Sequence, residues 1–451
     1  VNTLGNDTIG TGPRLQLQLA DPDRSRRREA RFMRWMKKVK LAKKLNVMRV
    51  CVAEVGEVFA VMTTNPKLKS PVKLDIELYE TDQVVSDTFQ AFGDTWPNGT
   101  PKEVDGIVLD EYGNPVEYKF LKCHPGSGFY FPREFRTVPA EFVIHYYNWN
   151  RPGQHRGLSE IAATLPLFAN LRGYSRSVMD AADNAAAMSI LLHTNLPPEP
   201  VDEYEVTRRN SSGNVVGGTA ETEVFSPLDV INYERNVATI LPDGYKPEQL
   251  KPEQPTTTHA AFVDTNINEM ARPFNMPFNV AKGNSSGYNY ASGRLDHQVY
   301  HKSLRIERMN IELDALDRIL EFWEAEDCIL NPGDYDADDF AGEVDHKWFW
   351  DGTEHVDPQK EAKAQDTRLS NRTTTLANEY GKEGKDWEVE MEQAYKEESR
   401  RQEYQIKLAA ERKRLLEQSG LVEDDLPSSG KSEKPDKSTE PEKDDDHEDN
   451  E

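Results

Sequence analysis

The stretch Arg151-Pro-Gly-Gln-His-Arg-Gly-Leu-Ser-Glu160 joins a β-patterned segment to a long alanine-rich helix, and its reading decides the fold. Upstream, Val138-Pro-Ala-Glu-Phe-Val-Ile-His-Tyr-Tyr147 has the composition of a strand. Downstream, Ile161 to Leu192 favours helix, interrupted at Pro166 and Gly173. Pro152 and Gly153 set a turn, and Arg151 and Arg156 bracket it with charge. With Pro166 in its first turn, the helix to Leu192 runs about 27 residues, roughly 40 Å at ~1.5 Å per residue. Ala181, Ala182, Ala185, Ala186 and Ala187 let neighbouring helices approach, and Leu196-Pro-Pro-Glu-Pro ends the segment.

At 451 residues the chain is long enough for two or more domains with a real core. Its formal charge of −24 argues against polyanion binding by the whole surface, because counterion-release affinity requires Lys and Arg in excess. The balance is uneven. Arg24 to Lys44 holds eleven basic residues against Glu29 alone, whereas Leu421 to Glu451 holds thirteen acids against four lysines. Cys51, Cys123 and Cys328 are odd in number and widely spaced, which suggests neither a disulfide framework nor a zinc knuckle and fits a reducing compartment. No apolar run approaches the ~20 residues of a membrane span, and no signal peptide is evident, so a soluble, cytosolic chain is expected during synthesis.

Phe32, Trp35, Met36, Val39 and Ala42 fall on one face at helical spacing, with Arg27, Arg28, Arg31, Arg34, Lys37 and Lys38 around the rest. This basic helix is either a solvated face or a patch that meets DNA, RNA or an acidic protein. Strand patterns follow at Val50 to Thr63, Lys73 to Tyr79, Gly106 to Leu109 and Val116 to Leu121, the last two joined by a Tyr112-Gly-Asn-Pro turn. Val201 to Gln254 is polar, turn-rich and weakly β. A helix from Thr256 to Met270 leads to Arg272-Pro-Phe-Asn-Met-Pro-Phe, then to the Gly-, Ser-, Asn- and Tyr-rich loop Ala281 to Arg294, then to a helix from Leu295 to Glu324. A charged helix is expected over Trp387 to Gln418, and disorder past Leu421. The fold class is α+β.

Fragments that imitate catalytic motifs fail on context. Gly430-Lys-Ser has Asp425 where a phosphate loop needs its upstream glycine, and Gly10-Thr-Gly-Pro lacks the third glycine of a dinucleotide fingerprint. His297 and His301 lie one helical turn apart beside Asp296, a spacing that can hold zinc, but no glutamate follows His297 where a zincin base would stand. Cys123-His124 before Pro125-Gly reads as a turn. Acid pairs such as Asp338-Asp339 read as solvated charge. No catalytic residue, metal ligand or cofactor is expected, and no ATP hydrolysis.

Four blocks in order resemble the lambda-type portal proteins of tailed bacteriophages. They are Val104-Asp-Gly-Ile-Val-Leu-Asp-Glu-Tyr-Gly-Asn-Pro-Val-Glu-Tyr, the Arg151–Glu160 stretch, Tyr290-Ala-Ser-Gly-Arg294, and Trp348-Phe-Trp through Asp357-Pro-Gln-Lys-Glu. Gly56-Glu-Val-Phe is similar too. The chain starts at Val1 close to Leu-Gly-Asn-Asp-Thr-Ile-Gly-Thr-Gly, a stretch the family has after an N-terminal helical region, so that region is expected to be missing.

The resemblance implies a mixed α/β wing over 1–150 and a junction with a first stem helix over 151–195. A clip-like insertion over 196–255, a second stem helix over 256–280 and a tunnel loop over 281–294 follow. A long wing helix over 295–330, the Asp-Pro-x-Lys-Glu block with a helical crown over 331–420, and an acidic tail over 421–451 complete it. It implies a homo-oligomeric ring, dodecameric in the family, at one capsid vertex of a virion, with bacterial cytoplasm before assembly. Double-stranded DNA passes through in packaging and ejection. The implied partners are the terminase large subunit, major capsid and scaffold proteins, and head-tail connector proteins, with no membrane. The acidic balance fits a low-friction channel wall.

Lys282, Asn284, Ser285, Tyr288, Asn289, Tyr290 and Arg294 are the candidate channel-loop residues, against a plain solvent loop between helices. Arg151, Gln154, His155 and Arg156 are placed at the wing-to-stem junction, pairing with acids of an adjacent subunit or closing an intrachain turn. The alternative function is a nucleic-acid-binding protein acting through the basic helix 24–44; a metal-dependent hydrolase using His297 and His301 stands behind it.

Overall fold

In the computed structural model, which describes residues 1–86, 94–127, 134–187, 191–194, 245–248, 259–287, 289–336, 339, 345–352 and 358–419, the chain opens with helix α1 (Asn2–Ile9), strand β1 (Arg14–Leu17), α2 (Pro22–Val39) and α3 (Leu41–Glu54). Strands β2 (Glu57–Thr64), β3 (Leu74–Tyr79), β4 (Glu103–Val104), β5 (Ile107–Leu109), β6 (Pro115–Leu121), β7 (Phe135–Pro139) and β8 (Val143–Tyr147) come next. Then come α4 (Leu165–Ala187), β9 (Leu191–Thr194), β10 (Tyr245–Glu248), α5 (His259–Ala271), α6 (Phe278–Lys282), α7 (Tyr290–Ile311) and α8 (Asp317–Leu330). Strand β11 (His346–Phe349) and helices α9 (Pro358–Ser370), α10 (Leu376–Lys382) and α11 (Trp387–Ser419) end it. Mixed helix and sheet, partly segregated, make the fold α+β. Among the described residues no helix is long and apolar enough to cross a membrane.

Two compact units are present, one from the described residues of 1–12 and 30–343, the other from those of 13–29 and 344–451. In the first, β2 is the middle of an antiparallel sheet ordered β3-β2-β8, and β4-β5-β6-β7 form a second antiparallel sheet. The sheets share one core, in which Phe59 and Val61 of β2 pack with Ile107, Leu109, Tyr118, Phe120, Val138 and Val143. Six successive β2 residues from Glu57 are buried, as a strand covered on both faces requires. Helix α1 is held against α7 by Arg308, which donates to the Thr8 and Asp7 carbonyls, and by the Tyr300 hydroxyl, which donates to Asp7 at 2.8 Å. β9 and β10 pair antiparallel.

Several boundaries differ from the expected ones for identifiable reasons. Val50 to Glu54 is helix, not strand, because Leu41, Leu45, Met48 and Val52 form a buried helical stripe that outweighs the β-branched valines. The basic helix expected over 24–44 breaks at Lys40, whose φ is 57°, into α2 and α3. The single strand expected over 138–147 is two, in different sheets, parted by Pro139 and a 3-10 turn at Ala140–Phe142. The alanine-rich helix, expected to Leu192, has given way by Leu191 to β9. The helix expected from Leu295 to Glu324 begins at Tyr290 and continues through a π-helical turn, Glu312–Leu316, into α8. The polar insertion lies outside the described residues apart from Tyr245–Glu248, and the acidic tail lies wholly outside them.

In the second unit β1 pairs antiparallel with β11, and Arg14 donates to the Gly384 carbonyl at 2.8 Å. Thr375 caps α10, whose Glu379 accepts from Arg368 and Lys382. Glu29 accepts the Leu17 N–H at 2.6 Å. Burial pushes the Glu29 carboxyl up to about 7, against that hydrogen bond and helped by Asp386 and Glu388. Because the folded value exceeds the unfolded one, this contribution to stability is complete below pH 4.5 and is lost as pH rises through 7. Glu29→Gln keeps the acceptor without the charge. It should stabilise the second unit by about 1–2 kcal/mol at pH 8, allowing for solvent screening, and change nothing at pH 4, in thermal melts at both values.

Candidate functional site

Glu57 opens β2 with its side chain 1% exposed, in a strand otherwise apolar for five residues. A carboxylate there needs partners, and the signature stretch supplies them. Arg156 Nε and Nη2 reach Glu57 Oε1 at 2.7 and 2.6 Å. Glu57 Oε2 accepts the Gly157 N–H at 2.7 Å and stands 3.0 Å from His145 Nε2 of β8. The rest of the Arg156 guanidinium donates to the Asp105, Val84 and Thr81 carbonyls. The His145 ring stacks between Phe59 and Tyr147, with centroids at 4.2 and 4.3 Å. Although burial alone would raise it, the Glu57 carboxyl is held below its ordinary range by hydrogen bonds from His145 and Arg156. Burial pushes His145 down, against the pull of Glu57.

The turn is closed as tightly. Gln154 accepts the Asn150 N–H, donates to the Arg156 carbonyl at 2.8 Å, and its own carbonyl takes the Tyr147 hydroxyl. Gly157 packs on the backbone of Gly56, where any Cβ would overlap the Gly56 carbonyl. Arg156 and Gln154 are therefore engaged within the chain, closing this turn. Arg151 is exposed and His155 half-buried.

A second buried network adjoins the first. Arg49 of α3 reaches Glu160, which closes the signature stretch, and Glu307 of α7, each at 3.1 Å. Glu160 also takes an N–H of Asn148 at 2.7 Å, and Glu307 takes the Tyr146 hydroxyl at 2.5 Å. Beyond the π turn, Arg318 donates to the Val143, Ala140 and Glu141 carbonyls at the start of β8. The stretch leading into α4 is thus fixed to β2 and α3 by charged hydrogen bonds, which are shorter and stronger than neutral ones, to β8 by the Tyr147 hydroxyl, and to α7 through the Arg49–Glu307 ion pair. Sequence reading missed Glu57, His145, Arg49, Glu160, Glu307 and Arg318 as members of this joint. The available signal was an acid alone in an apolar run, at Glu57.

The channel-loop candidates are only partly loop. Lys282 pairs with Asp264 at 2.6 Å and lies 5.3 Å from the Phe278 ring centre, so its charge is already engaged. Asn284 accepts the Ser286 N–H, and Ser285 Oγ is 3.4 Å from Asn279 Nδ2. Tyr290 and Arg294 belong to the first turns of α7, because the Asn289 carbonyl takes the Gly293 N–H. Arg294 is exposed, and Tyr288 lies outside the described residues. His297 and His301 stand with ring centres 5.9 Å apart. Asn279 Nδ2 is 3.1 Å from His297, and among the described residues no three His, Cys, Asp or Glu groups are placed to hold a metal.

The basic helix is divided in role. Arg28 is fully buried, and Arg31 forks onto the 2% exposed Asp327 and onto Asp334. Arg27, Arg34, Lys37 and Lys38 are exposed, while Phe32, Trp35, Met36 and Val39 fill the core as their spacing predicts.

Comparison with known proteins decides what this joint belongs to. The profile of the family described as phage portal protein, lambda family, matches residues 1–308. The chain belongs to the lambda family of phage portal proteins. The probable portal protein of Halomonas phage phiHAP-1 is 22% identical over 310 residues, 67% of this chain and 56% of the relative. The chain thus spans little more than half the length of that portal relative. Among solved structures, a chain from the neck of an empty gene transfer agent particle, of C6 symmetry, is similar with a TM-score of 0.48 at 12% identity, covering 84% of this chain and 86% of that one. A chain from the neck of the native particle, of C12 symmetry, gives 0.42 at 11% identity over 76% and 80%. The portal-family match takes in both buried networks up to Glu307.

Proposed function

We propose that this chain is the ring-forming portal subunit of one capsid vertex, a conduit for double-stranded DNA in packaging and ejection. The terminase large subunit docks on it first and head-tail connector proteins later, among major capsid and scaffold proteins. It works in the virion, after a time in the bacterial cytoplasm before assembly. The two sheets make the wing, α4 and α5 the stem, and α9 to α11 the crown. The channel loop is the segment after α6. The chain is the conduit and a separate motor moves the DNA.

Family membership supports this reading, and one structural observation carries it toward assembly. Helix α7 buries Tyr300, Leu304 and Ile311 in its own core, yet leaves Leu295, Val299, Ile306 and Met309 exposed, with Leu313 of the π turn continuing the row. At about 100° per residue these five side chains fall within one ~80° face. Helix α4 has no buried side chain between Leu165 and Asp183, and Leu165, Phe168 and Met179 are exposed. Apolar faces of this extent mark protein contacts.

Light-scattering mass tests the reading. The chain is expected to run at a multiple of 51.4 kDa, and Val299→Asp with Ile306→Asp should reduce it to the single-chain mass with unchanged circular dichroism. A native chain of single mass, or a double variant that still assembles, contradicts it.

A further inference from the structure

We infer that the exposed cations of α2, α3 and the loop between β2 and β3 form a sequence-independent binding surface for double-stranded DNA. Folding removes part of the basic run from consideration. Arg28 is buried, Arg31 is spent on Asp327 and Asp334, and Lys44 on Asp75. Arg34, Lys37, Lys38, Lys40 and Lys43 remain, all exposed.

Folding also adds to the patch from elsewhere in the sequence. Asp75 accepts from Lys44 at 2.7 Å and from Asn65 at 2.8 Å, which ties the loop after β2 to α3. Asn65 takes the Lys67 N–H, and Lys73 Nζ reaches back to the Leu68 carbonyl, so the loop is folded on itself with Lys67 and Lys69 exposed. Two acids beside this loop have partners, Asp75 in Lys44 and Asn65, and Glu326 in the Lys73 and Leu74 N–H groups. The result is a cluster of seven exposed cations in a chain of net charge −24.

The character of the patch selects its partner. An interface for an acidic protein needs a desolvated aromatic or aliphatic anchor among the charges. Here the apolar face of α2 is spent inward, and Val47, beyond the basic run, is the one large apolar side chain exposed on α2 and α3 among the described residues. A phosphate backbone needs only cations. Duplex DNA carries one charge per ~1.7 Å of axis, so a contact of only about 10 Å offers phosphates enough for the cations at the end of α2 and the start of α3. Lysines present point charges rather than base-reading forks, which makes the contact indifferent to sequence. This goes beyond the channel reading, in which the wall repels DNA; this surface holds it.

The test is fluorescence anisotropy of the full chain with a labelled random-sequence duplex of about 30 base pairs, between about 50 and about 200 mM NaCl. Five phosphate contacts give a log–log slope of about −4.5, a loss of several hundredfold across that range. K37E/K38E/K43E should weaken binding about a hundredfold at the lower salt and K67E/K69E about tenfold. R412E/K413E/R414E, on α11, should leave it unchanged. Melting curves check folding, and K37Q/K38Q/K43Q, expected to lose about tenfold, replaces any charge reversal that fails to fold. Equal binding by the α2–α3 variants, or loss in the α11 variant, overturns the assignment. Poly-glutamate binding as tightly as the duplex at equal charge would give the surface to an acidic protein instead. Ring mass is read separately, so failure here leaves the portal reading standing and failure there leaves this one.

Discussion

Glu57→Ala will destabilise the first unit by about 3–5 kcal/mol, the cost of breaking a buried ion pair from one side. The carboxylate is the shared acceptor for Arg156, His145 and the Gly157 N–H, and removing it leaves a guanidinium without its counter-charge and an imidazole without its hydrogen-bond partner among Phe59, Tyr118 and Tyr147. Glu57→Gln keeps the volume but turns one acceptor into a donor facing other donors, so an intermediate loss of about 2–3 kcal/mol is expected. Glu57→Ala with Arg156→Ala should cost less than the sum of the two, since each removes the other's reason to be there.

Acid titration adds a sign. Burial holds His145 below its ordinary 6.5, and donors hold Glu57 below its ordinary 4.5, so the unfolded chain takes up protons first. Stability is complete above pH 6.5 and falls as pH drops through both folded values. Glu57→Ala should flatten the part of that fall below pH 4.5. Urea unfolding across pH checks all of this; a loss under about 1 kcal/mol for Glu57→Ala would show that the joint is not held by its carboxylate.

Gly157→Ala should cost about 3–4 kcal/mol for a different reason, backbone overlap. A Cβ there would collide with the carbonyl and carbonyl carbon of Gly56, and no side-chain rotation relieves it. Gly56 itself sits at φ +111° against the Leu158 and Ser159 backbone, so neither strand of this crossing can retreat. Gly153 supplies the contrast. It also has a positive φ, 68°, but nothing lies within 4 Å of a Cβ at that position. Gly153→Ala should therefore cost only about 1 kcal/mol, the conformational penalty alone. Melting temperatures and soluble yield order the two variants; Gly153→Ala as damaging as Gly157→Ala would contradict the crossing as the reason glycine stands at 157.

What the sequence made legible was local. The Phe32, Trp35, Met36 and Val39 face, the Asp110–Asn114 turn, β3 and the start of α11 follow from spacing and turn chemistry within a few residues. Lys40 breaks a helix without glycine or proline, and Val50 and Val52 take helical form against their preference. The first has no turn residue to announce it, and the second follows the buried Leu41, Leu45, Met48 and Val52 stripe rather than residue preference. Of the signature stretch, its turn was legible and its purpose was not. Arg156 reads as a charge looking outward until Glu57, 99 residues earlier, is brought beneath it. The reverse holds for the DNA surface, where the basic run is plain in sequence but the loss of Arg28 and Arg31 and the gain of Lys67 and Lys69 are products of folding.

The central claim is a ring, and electron microscopy of the negatively stained, purified chain tests it most directly. Annular particles with an open central channel are the predicted result. Compact particles the size of one 51.4 kDa chain, at concentrations where the α7 face should associate, would contradict it.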